Sequence, residues 1–245
     1  MAQITNRQTD ILKAICQEFI ETAEPVGSAS VEKKYNLGVS PATIRAEMAQ
    51  LTNLGYLKKP HPSAGRMPTS MGLKYFVKNL MSPRKLSVAE EVGVKEKVWD
   101  YRRDFSRLLQ EAAKELSRRT QAMALVAITN GPIYSAGVSN LLDYHEFFDI
   151  DVAKTTLSLL DEKDYWQRIA GAVFSSDLEE PFHLLLGEEL EREFLEPCGF
   201  IYQSYETDGY KGVIGVLGPA RLPYADIIPL VDYLAELISD LGKNG

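Results

Sequence analysis

Residues 40–69 constrain the fold more than any other stretch of this 245-residue chain. Ser40 can cap a helix, Pro41 suits its first position, and Gly55 can close it in a left-handed turn. Ile44, Met48 and Leu51 recur at i, i+4 and i+7 and give one apolar face. Thr43, Arg45, Ala46, Gln50 and Asn53 are left for the opposite face, a set of small polar groups with one guanidinium. The chain continues Tyr56-Leu57-Lys58-Lys59-Pro60-His61-Pro62-Ser63-Ala64-Gly65-Arg66-Met67-Pro68-Thr69. Prolines and a glycine stiffen and turn this loop, and Lys58, Lys59 and Arg66 charge it. Such a helix beside such a loop suits the major groove of DNA and its flanking phosphates.

The whole-chain charge of −7 argues against a polyanionic partner until it is divided. Residues 1–85 hold 12 Lys/Arg against 6 Asp/Glu, a net of +6, and residues 86–245 hold 15 against 28, a net of −13. A basic head on an acidic body is expected where one domain meets phosphates and the other avoids them. With 45% hydrophobic and 25% charged residues, the composition is that of a soluble globular protein long enough for two domains. There is no apolar run of membrane-spanning length, and the N-terminus reads as a polar helix start, so the expectation is cytoplasmic. Cys16 and Cys198 suggest neither a disulfide framework nor a metal cluster, and no cofactor is expected.

Thr5 and Gln8 fit a capping box, and Ile11, Leu12, Ile15, Cys16, Phe19 and Ile20 form the core stripe of a helix over residues 6–22. Pro25-Val26-Gly27 turns the chain, Ser28 caps a second helix bearing Val31 and Tyr35, and Asn36-Leu37-Gly38 ends it. The second and third helices then form a helix-turn-helix, the strands and loop after Gly55 a wing, and Thr69 caps a fourth helix bearing Leu73, Phe76, Val77 and Leu80. The candidate DNA-contacting residues are Ser40, Thr43, Arg45, Ala46, Gln50, Lys58, Lys59, His61, Ser63 and Arg66. Arg45 matches the edge of guanine, or else pairs with a nearby glutamate. His61 either meets phosphate or packs on the wing, and Arg66 is expected on phosphate.

Pro25-Val26-Gly27-Ser28, Ser40-Pro41-Ala42-Thr43-Ile44-Arg45 and the motif over residues 60–69 resemble the signature of the heat-inducible transcription repressor family HrcA. The resemblance implies a winged-helix repressor that binds an inverted-repeat operator upstream of chaperone operons as a homodimer, and dependence on a GroE-type chaperonin. It also implies a GAF-like C-terminal domain. Family members are longer, with an inserted dimerisation segment that maps between Ile128 and Ile133, where only Thr129-Asn130-Gly131-Pro132 stands here. The connecting helix or the GAF-like surface is then left to supply the two-fold interface.

The expected fold is α+β: a winged helix-turn-helix domain (1–82), a connecting helix (83–121) and a GAF-like domain with an antiparallel sheet (122–245). Val98, Phe105, Leu109, Ala112 and Leu116 give the connecting helix its apolar spacing, and residues 124–128 read as a buried strand. A helix through residues 155–160 and a strand at 182–186 follow. Residues 199–205 and 211–217 form a hairpin around Asp208-Gly209, and a closing helix spans 224–241. Gly212, Gly215 and Gly218 lack the Gly-Lys-Ser/Thr ending of a phosphate loop and read as sites of close packing or bulges. Ala136-Gly137-Val138-Ser139-Asn140-Leu141-Leu142 and the run over residues 212–224 also resemble family motifs. His61, His145 and His183 fall on separate segments without a nucleophile elbow or metal spacing, so no enzyme is expected. Two other readings keep the winged helix: control by a small ligand in the GAF-like domain, or a protein-interaction module without DNA.

Overall fold

The computed structural model describes residues 4–175 and 181–243, and the chain divides into two compact units, Met1–Ser82 and Pro83–Gly245. The first contains α1 (Asn6–Thr22), α2 (Ser28–Tyr35), α3 (Pro41–Asn53), a ribbon of β1 (Leu57–Lys58) and β2 (Met67–Pro68), and α4 (Ser70–Tyr75), which runs on as a π-turn over Phe76–Leu80. Local chemistry sets each start. Thr5 and Gln8 make a reciprocal capping box, the Thr43 amide donates to Ser40 Oγ, and the Gly72 amide donates to Thr69 Oγ1. Ile11, Leu12, Ile15, Val31, Ile44 and Leu51 are buried and form the core of this unit.

The second unit is built on a five-stranded antiparallel sheet in the order β4-β3-β7-β6-β5. Its strands are β3 (Met123–Ile128), β4 (Ile133–Ala136), β5 (His183–Leu186), β6 (Cys198–Glu206) and β7 (Lys211–Pro219). The helices are α5 (Val88–Trp99), α6 (Phe105–Thr120), α7 (Ile150–Ser158), α8 (Lys163–Phe174) and α9 (Tyr224–Gly242). α6 and α9 cover one face of the sheet. On the other, Tyr165 and Trp166 of α8 lie over Phe200 and Tyr202, with Trp166 and Phe200 edge to face at 5.1 Å and Phe200 and Tyr202 stacked at 4.8 Å. The Trp166 indole donates to Leu159 O and the Tyr165 hydroxyl to Leu190 O, so both buried polar tips are satisfied.

The expected single connecting helix is two helices. Asp104 accepts from the Arg107 amide and starts α6 afresh, and residues 100–103 turn between them. Both pack within the second unit. α7 begins earlier than its apolar pattern indicates because Asp149 caps it, and α8 is a helix that the sequence reading does not include. Pro229 removes an amide inside α9, which leaves Ala225 O without its i+4 donor; the Arg84 amide takes that place at 2.9 Å. The Arg84 guanidinium then reaches Asp226 and Glu90, fixing the start of α5 on α9.

The glycines of β7 are packing positions. A Cβ on Gly212 would stand 2.2 Å from Ala127 O and 2.4 Å from Tyr205 Oη, and one on Gly215 2.4 Å from Ile201 O. Gly212→Ala is expected to lower the thermal midpoint by several degrees, whereas Gly209→Ala, with nothing within 4 Å of its Cβ, is expected to change it little. Burial pushes the Asp232 carboxyl up from about 3.8 to about 6, against a weak donation from Gln203 Nε2. The native state therefore holds a proton in this window that the unfolded chain releases, and stability falls as pH rises through it. Asp232→Asn should melt higher than the parent near neutral pH, with the difference vanishing below about pH 4.

Candidate nucleic-acid interface

The first unit holds the candidate site, which begins with how α3 is seated. Its inner face buries Ile44, Met48 and Leu51. One flank is tied to α1, where Gln8 Nε2 donates to Glu47 Oε2 at 3.0 Å and Gln50 Oε1 at 2.7 Å, and Arg7 pairs with Glu47 at 3.3 Å. Gln50 is thus anchored by α1. Glu47 is engaged on that flank, and Arg45 has no ion pair or hydrogen bond among the described residues. Ser40 and Thr43 bond to one another through their hydroxyls at 3.0 Å as part of the cap. What α3 turns outward is Ala42, Arg45, Ala46, Ala49 and Asn53, all exposed, with Gln50 exposed on the flank that meets α1. Three methyl groups allow a close approach to a flat partner, and a single extended cation stands among them.

The ribbon pairs Leu57 with Pro68 and Lys58 with Met67. Its tip is a tight turn closed by donation from the Ala64 amide to His61 O at 3.0 Å and from Lys59 Nζ to Pro62 O. His61, Pro62 and Ser63 are exposed there, and Lys58 and Lys59 are exposed on the same arm.

Arg66, expected on phosphate, is also built into the fold. Its main chain pairs with Val26 in both directions, at 2.8 and 2.9 Å, and its Nε donates to Thr52 Oγ1 at 2.9 Å. The loop stem is thereby stitched to the α1–α2 turn and to the last turn of α3. Gly65 makes the approach possible, since a Cβ there would sit 2.3 Å from Val26 O. Charge counting could not reveal this, because the partner of Arg66 lies 14 residues back and that of its main chain 40 residues back.

Between the loop, α3 and the start of α2 lies a cleft of about 420 Å³ bordered by Gly27, Ser28, Arg45, Met48, Lys59 and Arg66. Arg45, Lys59 and Arg66 make it cationic, and Met48 gives it an apolar wall. Sequence reasoning missed Val26, Gly27, Ser28 and Thr52 as parts of this arrangement; the Pro25-Val26-Gly27-Ser28 motif was the signal for the first three, and nothing local announced Thr52. Elsewhere, Cys16 and Cys198 are buried free thiols raised by burial, and no group of three His, Cys, Asp or Glu could hold a metal ion among the described residues. No helix among them is long and apolar enough to cross a membrane.

The chain resembles the heat-inducible transcription repressors HrcA of Pelotomaculum thermopropionicum (27% identity over 340 aligned positions, 98% of this chain and 97% of that one) and Carboxydothermus hydrogenoformans (28% over 342, 98% and 99%). These alignments exceed the 245 residues of the chain, so the relatives carry segments that it lacks. A solved structure described as a hypothetical protein at 2.2 Å resolution shares the fold, with a TM-score of 0.75, 18% identity and 98% of each chain covered. The family model described as the HrcA protein C terminal domain matches residues 74–228, more than half of the sequence. This chain belongs to the HrcA family.

Proposed function

We propose that the chain is a transcription repressor whose first unit, a winged helix-turn-helix, binds double-stranded DNA. The carrying observation is the outward face of α3, three alanines around an unpaired Arg45, locked beside a cationic cleft. α3 enters the major groove, Arg45 reads a base edge, and the ribbon tip presents Lys59, His61 and Ser63 to the adjoining backbone. Arg66, bonded to Thr52, holds the tip in place and borders the cleft.

The family name supports heat-shock genes as the target, and an inverted-repeat operator calls for two copies of the chain. The second unit, which we read as GAF-like, carries the assembly function. A GroE-type chaperonin is the proposed partner that keeps the repressor active, and the site of action is the cytoplasm.

Fluorescence anisotropy with labelled duplex tests the reading. Arg45→Ala is expected to cost about 1–3 kcal/mol on the preferred duplex and to relax discrimination at one base position. Lys59→Ala should weaken all duplexes alike and lower the slope of log K against log salt by about 1. Arg66→Ala and Thr52→Val should each weaken binding, with Thr52→Val leaving the salt slope unchanged because it removes no cation. Affinity indifferent to salt in the parent chain would exclude DNA and favour the protein-interaction module.

A further inference from the structure

One border of the cationic cleft is the start of α2, at Gly27 and Ser28. Gly27 holds the N-cap position and brings no side chain to it, and the amides of Ser28, Ala29 and Ser30 make no hydrogen bond among the described residues. The positive end of the helix is therefore uncovered. Gly27 has φ −89° and ψ 151°, a conformation open to any residue, and a Cβ there would meet nothing within 4 Å. The fold does not require a glycine at this point. Ser28 is only 7% exposed, and its hydroxyl has no hydrogen-bond partner among the described residues. The fully enclosed polar side-chain atoms without a partner are Thr129 Oγ1 and Tyr205 Oη, so Ser28 Oγ is not sealed off and opens on the cleft that Ser28 borders. Arg45, Lys59 and Arg66 border the same space. Arg45 is unpaired, Lys59 donates to the Pro62 carbonyl and Arg66 to the Thr52 hydroxyl, so no carboxylate neutralises any of the three among the described residues.

We propose that the cleft seats one phosphodiester of the DNA backbone, which accepts from the first amides of α2 and from the Ser28 hydroxyl while Lys59 and Arg66 supply the opposing charge. An uncapped helix start, a buried hydroxyl without a partner and three uncompensated cations round one space together ask for an anion with several acceptor oxygens. Met48, Pro62 and Ala64 give the cleft an apolar border, which suits the sugars on either side of a backbone phosphate and has no use for a free phosphate ion. Helix-turn-helix and ribbon then grip the same phosphate, and the grip fixes where the backbone stands when α3 enters the groove. Such a contact positions the duplex without reading its sequence. The proposal rests on the DNA reading and adds Gly27 and Ser28 to the binding surface.

Two variants of the full chain, and neutral phosphates in the duplex, test it. Gly27→Asp puts a carboxylate at the start of α2, where it caps the helix and occupies the seat. Its thermal midpoint should hold or rise, while its affinity for the preferred duplex falls at least about tenfold. Ser28→Ala, which removes the hydroxyl alone, should weaken binding by about three- to tenfold. Each backbone phosphate is then replaced in turn by a neutral methylphosphonate. At one position in each half-site the parent should lose about tenfold in affinity and G27D little, because its seat is already filled. A G27D chain that binds like the parent, or equal losses for both chains at every position, would overturn the proposal. Titration of inorganic phosphate, followed at the Ser28 and Ala29 amides by NMR, separates this from failure of the DNA reading. Shifts in the parent that are absent in G27D support the seat. The same shifts in a parent without salt-sensitive duplex binding would overturn DNA as the source of the phosphate, whereas no shifts beside intact duplex binding in G27D would overturn the seat and leave the DNA reading standing.

Discussion

The main-chain pair between Val26 and Arg66 is the contact on which the candidate site depends. A two-stranded ribbon of two residues per strand has too few hydrogen bonds to hold its own position in water. Docked at its stem on the α1–α2 turn, and through the Arg66 guanidinium on Thr52, the loop becomes part of the helical body. Gly65 is the steric condition for that docking, because any side chain there would run into the Val26 carbonyl. The cationic cleft is a consequence, since it exists only while the loop stands at a fixed distance from α3. A preformed surface spares the protein much of the ordering cost that a mobile arm would meet on binding.

α3 shows how a helix can be held firmly and still present a clean face. Its apolar stripe is buried, one polar flank is occupied by Gln8 and Arg7, and its cap is closed by Ser40 and Thr43. The small side chains and Arg45 that remain are free for a partner. Gln8 serves twice, closing the cap of α1 with Thr5 and reaching Glu47 and Gln50 on α3. In the second unit the sheet face under α8 is filled by rings in contact from Trp166 through Phe200 to Tyr202, the first pair edge to face and the second stacked. That packing accounts for the aromatic content of these segments as core.

Local signals in the sequence were sufficient for much of this. Thr5, Ser40 and Thr69 each start a helix with hydrogen bonds inside four residues, so their meaning is legible without a fold. The β6–β7 hairpin is equally local, and the close packing read from Gly212 and Gly215 is realised against Ala127 and Ile201. What escaped was non-local or ambiguous. Asp104 breaks a continuous apolar spacing without a proline or glycine to announce it. Arg66 counts as a charge in any tally, yet its Nε is committed to Thr52. Gln50 is exposed as its place on the helical wheel indicates, but a wheel cannot show that α1 reaches across to hold it.

The central claim is that a rigid α3 and loop, carried in two copies, select a specific duplex. Selection of bound sites from a pool of random duplexes by the full chain tests this most directly. The account predicts enrichment of a single inverted repeat whose half-sites keep a fixed separation. Recovery of no common sequence, or of one asymmetric site without a repeat, would contradict it.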